Sequence, residues 1–516
     1  MDRRSALKTL ALGGLSASPF GAVGCRPPPP ITTPGDRTFE HPESEDDLVR
    51  LVNKARRLGL QLRVRGSLHS VSSAIFTDDR PGNINVQLDR YQKIIGWDEA
   101  KKQVTVQAGA HLGVDPQDPA SSRENSFLWA LHRHGWALPD LGGITHQTVG
   151  GFLSTGSMGG TIAYDVGEAI VCLRIVAGDG NVYELHADPG NPRDEEENPF
   201  YGAGVAMGLY GIISTVTFQC VDRYDVIGKQ VTTSFSRCAV DLFGDKDGGL
   251  RKWSEEQTYN RVLLWPQQGV EKVQLWSARR TTAEDAPRTR ARGGFVAKPF
   301  SQVPEALQSL AYLVYKHVDR TPPPYAPDTA ALLRETINAF ITDGTEEFWD
   351  HWLETLPMDN QVSDNYLPTE FTELFVDISE TAPVMKALSE LWAGDARMER
   401  TGPFATEVYP AKKSRFWMSP SSGRNSFRVD VFWFKSGKTD PDVALYPKYW
   451  ELLRSFGFRF HWGKHLSSPD SSTGVSYRRA QNPNWDRFLA FRRTFDPDQI
   501  FVTDYWRAAL GIPKKA

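Results

Sequence analysis

Seven glycines fall between Leu138 and Gly160: Gly142, Gly143, Gly150, Gly151, Gly156, Gly159 and Gly160. Such a segment reads as a loop system able to turn its N–H groups toward one point and to let another group approach closely, as a bound pyrophosphate requires. Thr145, Thr148, Thr155 and Ser157 add hydroxyl donors to it. A second candidate loop, Arg65-Gly66-Ser67-Leu68-His69-Ser70, follows a short predicted strand, Leu60 to Val64. No G-x-G-x-x-G opens a helix after the first strand, so a Rossmann fold is not supported.

The surroundings of these loops read as α+β. Ser44 with Asp47 forms a capping-box-like start, Leu48, Leu51, Val52 and Ala55 recur at helical spacing, and Gly59 stops the helix. Strands are predicted at Ile84 to Leu88, Val104 to Gln107, Cys172 to Ala177, Val182 to Leu185 and Ile212 to Phe218. The acidic run Asp194 to Glu197 reads as a solvated turn. After Cys220 longer helices appear, at Pro304 to Tyr315 and Val384 to Trp392, with an alternating strand at Phe427 to Phe434. At 516 residues the chain exceeds what one core usually supports, so two lobes are expected, with a boundary near Asp222. Ordinary composition, 40% hydrophobic and 24% charged, argues against disorder, and a net charge of -4 gives no electrostatic reason to expect nucleic acid. Arg288, Arg290 and Arg292 read as a solvated basic loop.

The first 25 residues stand apart. Arg3 and Arg4, then a short apolar stretch from Leu10 to Val23 broken by Gly13, Gly14 and Pro19, resemble a twin-arginine export signal too short to span a bilayer permanently. Ala22-Val23-Gly24-Cys25 resembles a lipobox without its usual Leu, making Cys25 a candidate lipid acceptor and membrane tether, and Pro27 to Pro30 read as a stiff linker. Cys172, Cys220 and Cys238 lack CxxC spacing, which argues against a metal site and leaves room for one bridge. His132 and His134 have no third ligand nearby in sequence, so no metal is expected.

RGSLHS, LPDLGGITHQTVGGFLSTGSMGG and GLYGIISTVTF, in that order, resemble the FAD-binding PCMH-type domain of the vanillyl-alcohol oxidase flavoprotein family. HWGKH at His461 to His465 and FDPDQIFVTDYW at Phe495 to Trp506 resemble the C-terminus of sugar-1,4-lactone oxidases and alditol oxidases. Parts also resemble covalent-flavin cholesterol oxidases, whose cap domains are aromatic. Phe404, Tyr409, Trp417, Trp433 and Phe434 are candidates to line such a cavity, though strand alternation assigns most of them to the core.

The resemblance implies a two-lobed FAD-binding domain with an α+β cap: an export signal at 1–25, a linker at 26–39, the FAD domain at 40–221, the cap at 222–450, and a segment at 451–516 returning to the FAD domain and active site. It implies FAD contacts at Arg65, Gly66, Ser67, Leu68, Ser70, Gly143, Thr148, Gly151, Thr155, Ser157 and the backbone of Ile213, with a covalent link through His69. Gly142 stands where plant lactone dehydrogenases carry a larger gatekeeper, which favours oxygen access. Lys464 matches the family's active-site lysine, with His461 and Glu407 as companions. Family members often place an Arg two residues after that Glu, where this chain has Tyr409.

Removing hydride from a carbinol needs an oriented C–H bond, an acceptor for the hydroxyl proton and a cation beside the reduced flavin. The expected activity is oxidation of the CH–OH of a sugar lactone, polyol or similar secondary alcohol, with oxygen reduced to hydrogen peroxide. Three alternatives stay open: a dehydrogenase using a quinone or cytochrome, an oxidase of sterols or other hydrophobic alcohols, and a non-catalytic flavin-binding surface protein. Export by the twin-arginine route implies a periplasmic or extracytoplasmic location.

Overall fold

The computed structural model describes residues 38–515 apart from 286–289, 292–293, 302 and 436–437, with only the backbone of 290–291 and 294–295. The export signal, Cys25, the proline run, Arg288, Arg292 and the side chain of Arg290 lie outside the described residues.

The helix Glu45–Leu58 begins as its sequence demands. Ser44 accepts from the Asp47 N–H, and the Asp47 carboxylate accepts from the Ser44 N–H at 2.9 Å, a cap worth about 1 kcal/mol. Leu48, Val52 and Ala55 are buried, and they pack with Leu62, Ile84 and Val86 of a small parallel sheet in the order Phe39–Glu40, Ile84–Gln87, Leu62–Arg65. A five-stranded antiparallel sheet stands beside it, ordered Ile94–Asp98, Gln103–Gln107, Gly211–Gln219, Ile170–Ala177, Val182–His186. The strand Ile94–Asp98 was not expected. Its residues alternate only between half-buried and exposed, so the apolar period that marks a strand is missing from them.

Two further expectations are corrected. The glycine-rich segment is not loop throughout: Thr148 accepts from the Gly151 N–H and starts a short helix, Val149–Ser154, in which Val149, Phe152 and Leu153 are buried at helical spacing. The acidic run is a helical turn whose first member faces inward, since Asp194 is buried and accepts from the Tyr201 hydroxyl at 2.7 Å and the Asp188 N–H at 2.9 Å. Glu195, Glu196 and Glu197 are exposed as expected.

From Asp225 the chain builds an eight-stranded antiparallel sheet, ordered Gly344–His351, Asp225–Ser234, Lys272–Arg280, Tyr259–Trp265, Thr406–Ala411, Ser426–Phe434, Thr369–Asp377, Arg459–Phe460. Strand alternation divides its two faces. Phe427, Val429, Val431 and Trp433 pack against the helices Thr381–Trp392 and Tyr446–Leu453, whereas Phe434 packs against Glu305–Val318 and Pro327–Phe340. Trp417 belongs to the core of the first lobe. Cys172, Cys220 and Cys238 are free thiols, so the bridge that the sequence left room for does not form among them.

The last strand is the crossing point. Leu374 pairs with Phe460 at the edge of the large sheet, and the chain then returns to the first lobe, where Trp462, Trp485, Phe488, Phe495 and Trp506 join its core.

Candidate active site

A narrow slot of about 100 Å³ runs through the first lobe, lined by Arg65, Gly66, Ser67, Thr148, Gly151, Thr155, Ile213 and the late-sequence Phe501 and Trp506. At Leu68, His69, Ser70 and Gln147 it meets a cavity of about 1640 Å³ beneath the large sheet, which Gly142, Gly143 and Ser157 also line. The slot is built for a polar, elongated group. Leu68 is held at φ 62, and no backbone oxygen among the described residues accepts from the N–H groups of Ser67 to Ser70. Among the described residues the Arg65 Nε and the Gln147 Oε1 are buried without a partner, an arrangement whose desolvation cost a bound ligand relieves by supplying the missing partners. A Cβ on Gly66 would stand 2.8 Å from the Thr148 Oγ1, so glycine there keeps the two loops in contact. These are the features a dinucleotide's pyrophosphate requires, and FAD fits them.

The cavity end carries the chemistry. His461 and Lys464 occupy a tight turn after the crossing strand, where the Lys464 N–H donates to the His461 carbonyl. The buried ammonium of Lys464 donates to the His69 carbonyl at 2.9 Å and sits 3.9 Å from the centre of the Phe371 ring. Burial lowers its pKa to about 8, against the pull of Glu373 and Asp430. His461 is brought down to about 4 by burial, so it is neutral. Its Nδ1 accepts from the Gly463 N–H at 3.2 Å, and its Nε2 lies 3.5 Å from the Ser157 hydroxyl. The proton therefore belongs on Nε2, which makes that atom a donor.

Around this turn lies a network of buried charge. Arg428 contacts Glu373 at 3.1 Å and Asp430 at 3.3 Å, while Arg261 pairs with Asp359 and stands 3.8 Å from Glu407. Burial would raise the Glu373 carboxyl, but Arg428 and Lys464 outweigh it and hold Glu373 low. Glu407 and Asp430 go the other way: burial, reinforced by Asp359 for Glu407 and by Glu373 for Asp430, raises both well above the carboxylate range. Among the described residues Glu407 Oε1 and Asp430 Oδ1 find no hydrogen-bond partner, and both residues face the cavity.

Tyr409, the departure at the position two after Glu407, has a structural counterpart. Its register partner on the next strand is Arg428, whose guanidinium carbon lies 3.6 Å from the Tyr409 ring centre. A buried cation thus reaches this place from the neighbouring strand. Of the other aromatic candidates, Phe404 lines the cavity together with Tyr409, whereas Trp417, Trp433 and Phe434 are core.

The sequence reading brought Lys464, His461, Glu407, His69 and Gly142 forward, and the fold places all five on one cavity. It missed Arg261, Asp359, Asp364, Glu373, Arg428 and Asp430. A signal existed for two of them: Arg428 and Asp430 lie on the same face of an otherwise apolar strand, a pattern that places charge in an interior. Nor did it single out the grouping of His69, His146 and Asp364, which among the described residues bring three ligand-type atoms within 4.8 Å of one another.

Fold, slot and buried cation together define an FAD-dependent oxidoreductase of the PCMH type. Residues 216–509 match the family model described as D-arabinono-1,4-lactone oxidase, and residues 38–116 match that of the FAD binding domain. The chain belongs to the D-arabinono-1,4-lactone oxidase family. It is 23% identical over 474 residues to L-gulonolactone oxidase of Mus musculus, covering 90% of this chain and 93% of that one. L-gulono-1,4-lactone dehydrogenase of Mycobacterium tuberculosis is 22% identical, with 91% and 95% covered. D-arabinono-1,4-lactone oxidase of Saccharomyces cerevisiae is 29% identical over 49% of this chain and 43% of that one. Among solved structures, a cholesterol oxidase from B. sterolicum shares the fold, with a TM-score of 0.67 at 15% identity and 91% and 93% covered.

Proposed function

We propose that this enzyme oxidises the CH–OH group of a sugar-1,4-lactone, polyol or similar secondary alcohol, that oxygen is its acceptor, and that its FAD is tethered covalently through His69. The observation carrying this reading is the placement of a buried cation, a neutral imidazole and an ionised carboxylate around the junction where His69 stands. FAD, which the slot at Arg65, Gly66, Ser67, Thr148 and Gly151 would hold, would supply the two-electron redox chemistry between the carbinol and oxygen.

The chain's own groups do the rest. The His461 Nε2–H donates to the substrate oxygen and orients it. Glu373, held ionised by Arg428, accepts the hydroxyl proton. Lys464 fixes positive charge where negative charge gathers during the transfer. Glu407, held protonated, is left to donate to a second polar group of the substrate. The small residue at Gly142 keeps the cavity wall open to oxygen. The twin-arginine motif supports export of the folded holoenzyme to the periplasm or beyond, and Cys25 supports a lipid tether.

A second reading is a dehydrogenase that passes electrons to a quinone or cytochrome, which the name of the mycobacterial relative favours. A panel of lactones, polyols and sterols tested for anaerobic bleaching of the flavin, followed by readmission of air, separates the readings. Prompt recovery of colour with peroxide marks the oxidase, and slow recovery the dehydrogenase. Bleaching by sterols alone would move the substrate class to hydrophobic alcohols, and no bleaching by any alcohol would refute catalysis.

A further inference from the structure

His69 does not stand alone at the junction of slot and cavity. Asp364, from the cap, reaches across to the first lobe, where its Oδ2 lies 3.8 Å from the His69 Nδ1 and 3.1 Å from the His146 Nδ1. The two imidazole rings are 5.5 Å apart, centre to centre. Nothing in the substrate chemistry above uses this trio, although His69 and Asp364 line the cavity.

We infer that Asp364, with His146 hydrogen-bonded to it, is the proton acceptor that makes His69 a nucleophile toward the flavin, so that the cap installs the covalent link. The inference rests on the covalent reading of His69. With a carboxylate at one ring nitrogen, the ring proton is drawn to that side and the lone pair is left on the other nitrogen. Two further properties agree. Burial lowers the His69 pKa to about 4, so the ring is neutral and its lone pair is free. Burial would raise Asp364, but the His146 hydrogen bond and the Lys464 ammonium hold it low, so it arrives ionised.

The step balances. A C–H bond of the isoalloxazine methyl group breaks as the C–N bond to His69 forms. The methyl proton and the His69 ring proton depart, the latter through Asp364, and the electron pair of the C–H bond stays in the ring system. The flavin is thereby reduced by two electrons, and it recovers two protons from solvent. Oxygen then takes both electrons and two protons as hydrogen peroxide, leaving the linked flavin oxidised.

The test measures linkage rather than turnover. Full-length parent, Asp364→Ala and His146→Gln are purified, FAD content is read from flavin absorbance, and the linked fraction is read from the flavin retained after acid precipitation and from intact mass. We expect the parent to be fully linked, and Asp364→Ala to hold FAD but link it about a hundredfold more slowly, the loss typical of removing a positioned base. Added formate should restore linkage in Asp364→Ala, an effect that a purely structural role would not produce. His146→Gln should link at an intermediate rate. A parent that releases all its flavin into acid overturns the covalent reading and this inference with it. A linked parent with Asp364→Ala linked equally fast, or unresponsive to formate, overturns this inference alone. Loss of FAD from both variants assigns the pair to flavin binding and overturns it too.

Discussion

Replacing Lys464 by methionine isolates the buried cation. Methionine is nearly as long and keeps contact with the Phe371 ring, which the ammonium approaches at 3.9 Å. Two things are lost. The His69 carbonyl loses the donor it holds at 2.9 Å, a cost to local stability of about 1 to 3 kcal/mol. The transition state loses a fixed charge in a water-poor site, for which removal of a preorganised electrostatic group costs about 3 kcal/mol. At about 1.4 kcal/mol per decade, flavin reduction should slow by on the order of a hundredfold. Rapid anaerobic mixing with the best reductant from the alcohol panel measures this step apart from oxygen chemistry, and flavin absorbance before mixing confirms that FAD is still held. Lys464→Arg should recover part of the rate, because a planar guanidinium cannot occupy the place of a compact ammonium. If Lys464→Met reduces its flavin at the parent rate, the HWGK turn is structural and the electrostatic argument fails.

The remaining predictions concern the tether, oxygen, the buried charges and pH. His69→Ala should still bind FAD but release it on acid precipitation; retention of the flavin in the pellet would place the link elsewhere. In Gly142→Ala the new methyl group meets the Phe152 ring at 3.0 Å and the Ile144 carbonyl at 3.3 Å, so it should crowd the cavity wall and slow reoxidation by oxygen while substrate reduction is largely kept; unchanged oxygen kinetics would remove the gatekeeper argument. Arg428→Met leaves Glu373 and Asp430 without their shared cation, and should destabilise the cap by about 3 kcal/mol or more, seen as an earlier denaturant midpoint; an unshifted midpoint would mean the network relaxes around the loss. Because Lys464 is charged below about 8 and neutral above it, flavin reduction should fall as pH rises through that value; Lys464→Arg, whose group does not deprotonate, should lose that limb.

Much of the first lobe was legible because its signals are local. Ser44, Asp47 and Gly59 mark both ends of one helix within the chain itself, and the paired loops at Arg65 to Ser70 and Gly142 to Gly160 announce a ligand by composition. Ile94–Asp98 was hidden because it is an edge strand whose exposed Ile95 and Trp97 break the apolar period. The candidate site was half legible. Lys464 and His461 stand in a compact motif, but Glu373, Arg428 and Asp430 acquire meaning only when the antiparallel register lays Glu373 opposite Asp430 and Tyr409 opposite Arg428. Asp364 was beyond reach, because its relation to His69 depends on how the cap closes over a loop nearly three hundred positions earlier.

The return of the chain from the large sheet to the first lobe sets the order in which a cell can complete this molecule. Phe501 and Trp506 form part of the wall of the slot, and Arg63, beneath that wall, donates to the Phe501 carbonyl at 3.2 Å. Those residues follow the Arg65 and Gly142 loops by the whole length of the cap. The loops that greet the cofactor precede that stretch, and the groove they edge stays open until it has folded back over them, so the cradle is incomplete without it. The closing stretch thus acts as a clasp, and a chain cut short before Phe501 should emerge colourless even with every glycine of the cradle in place.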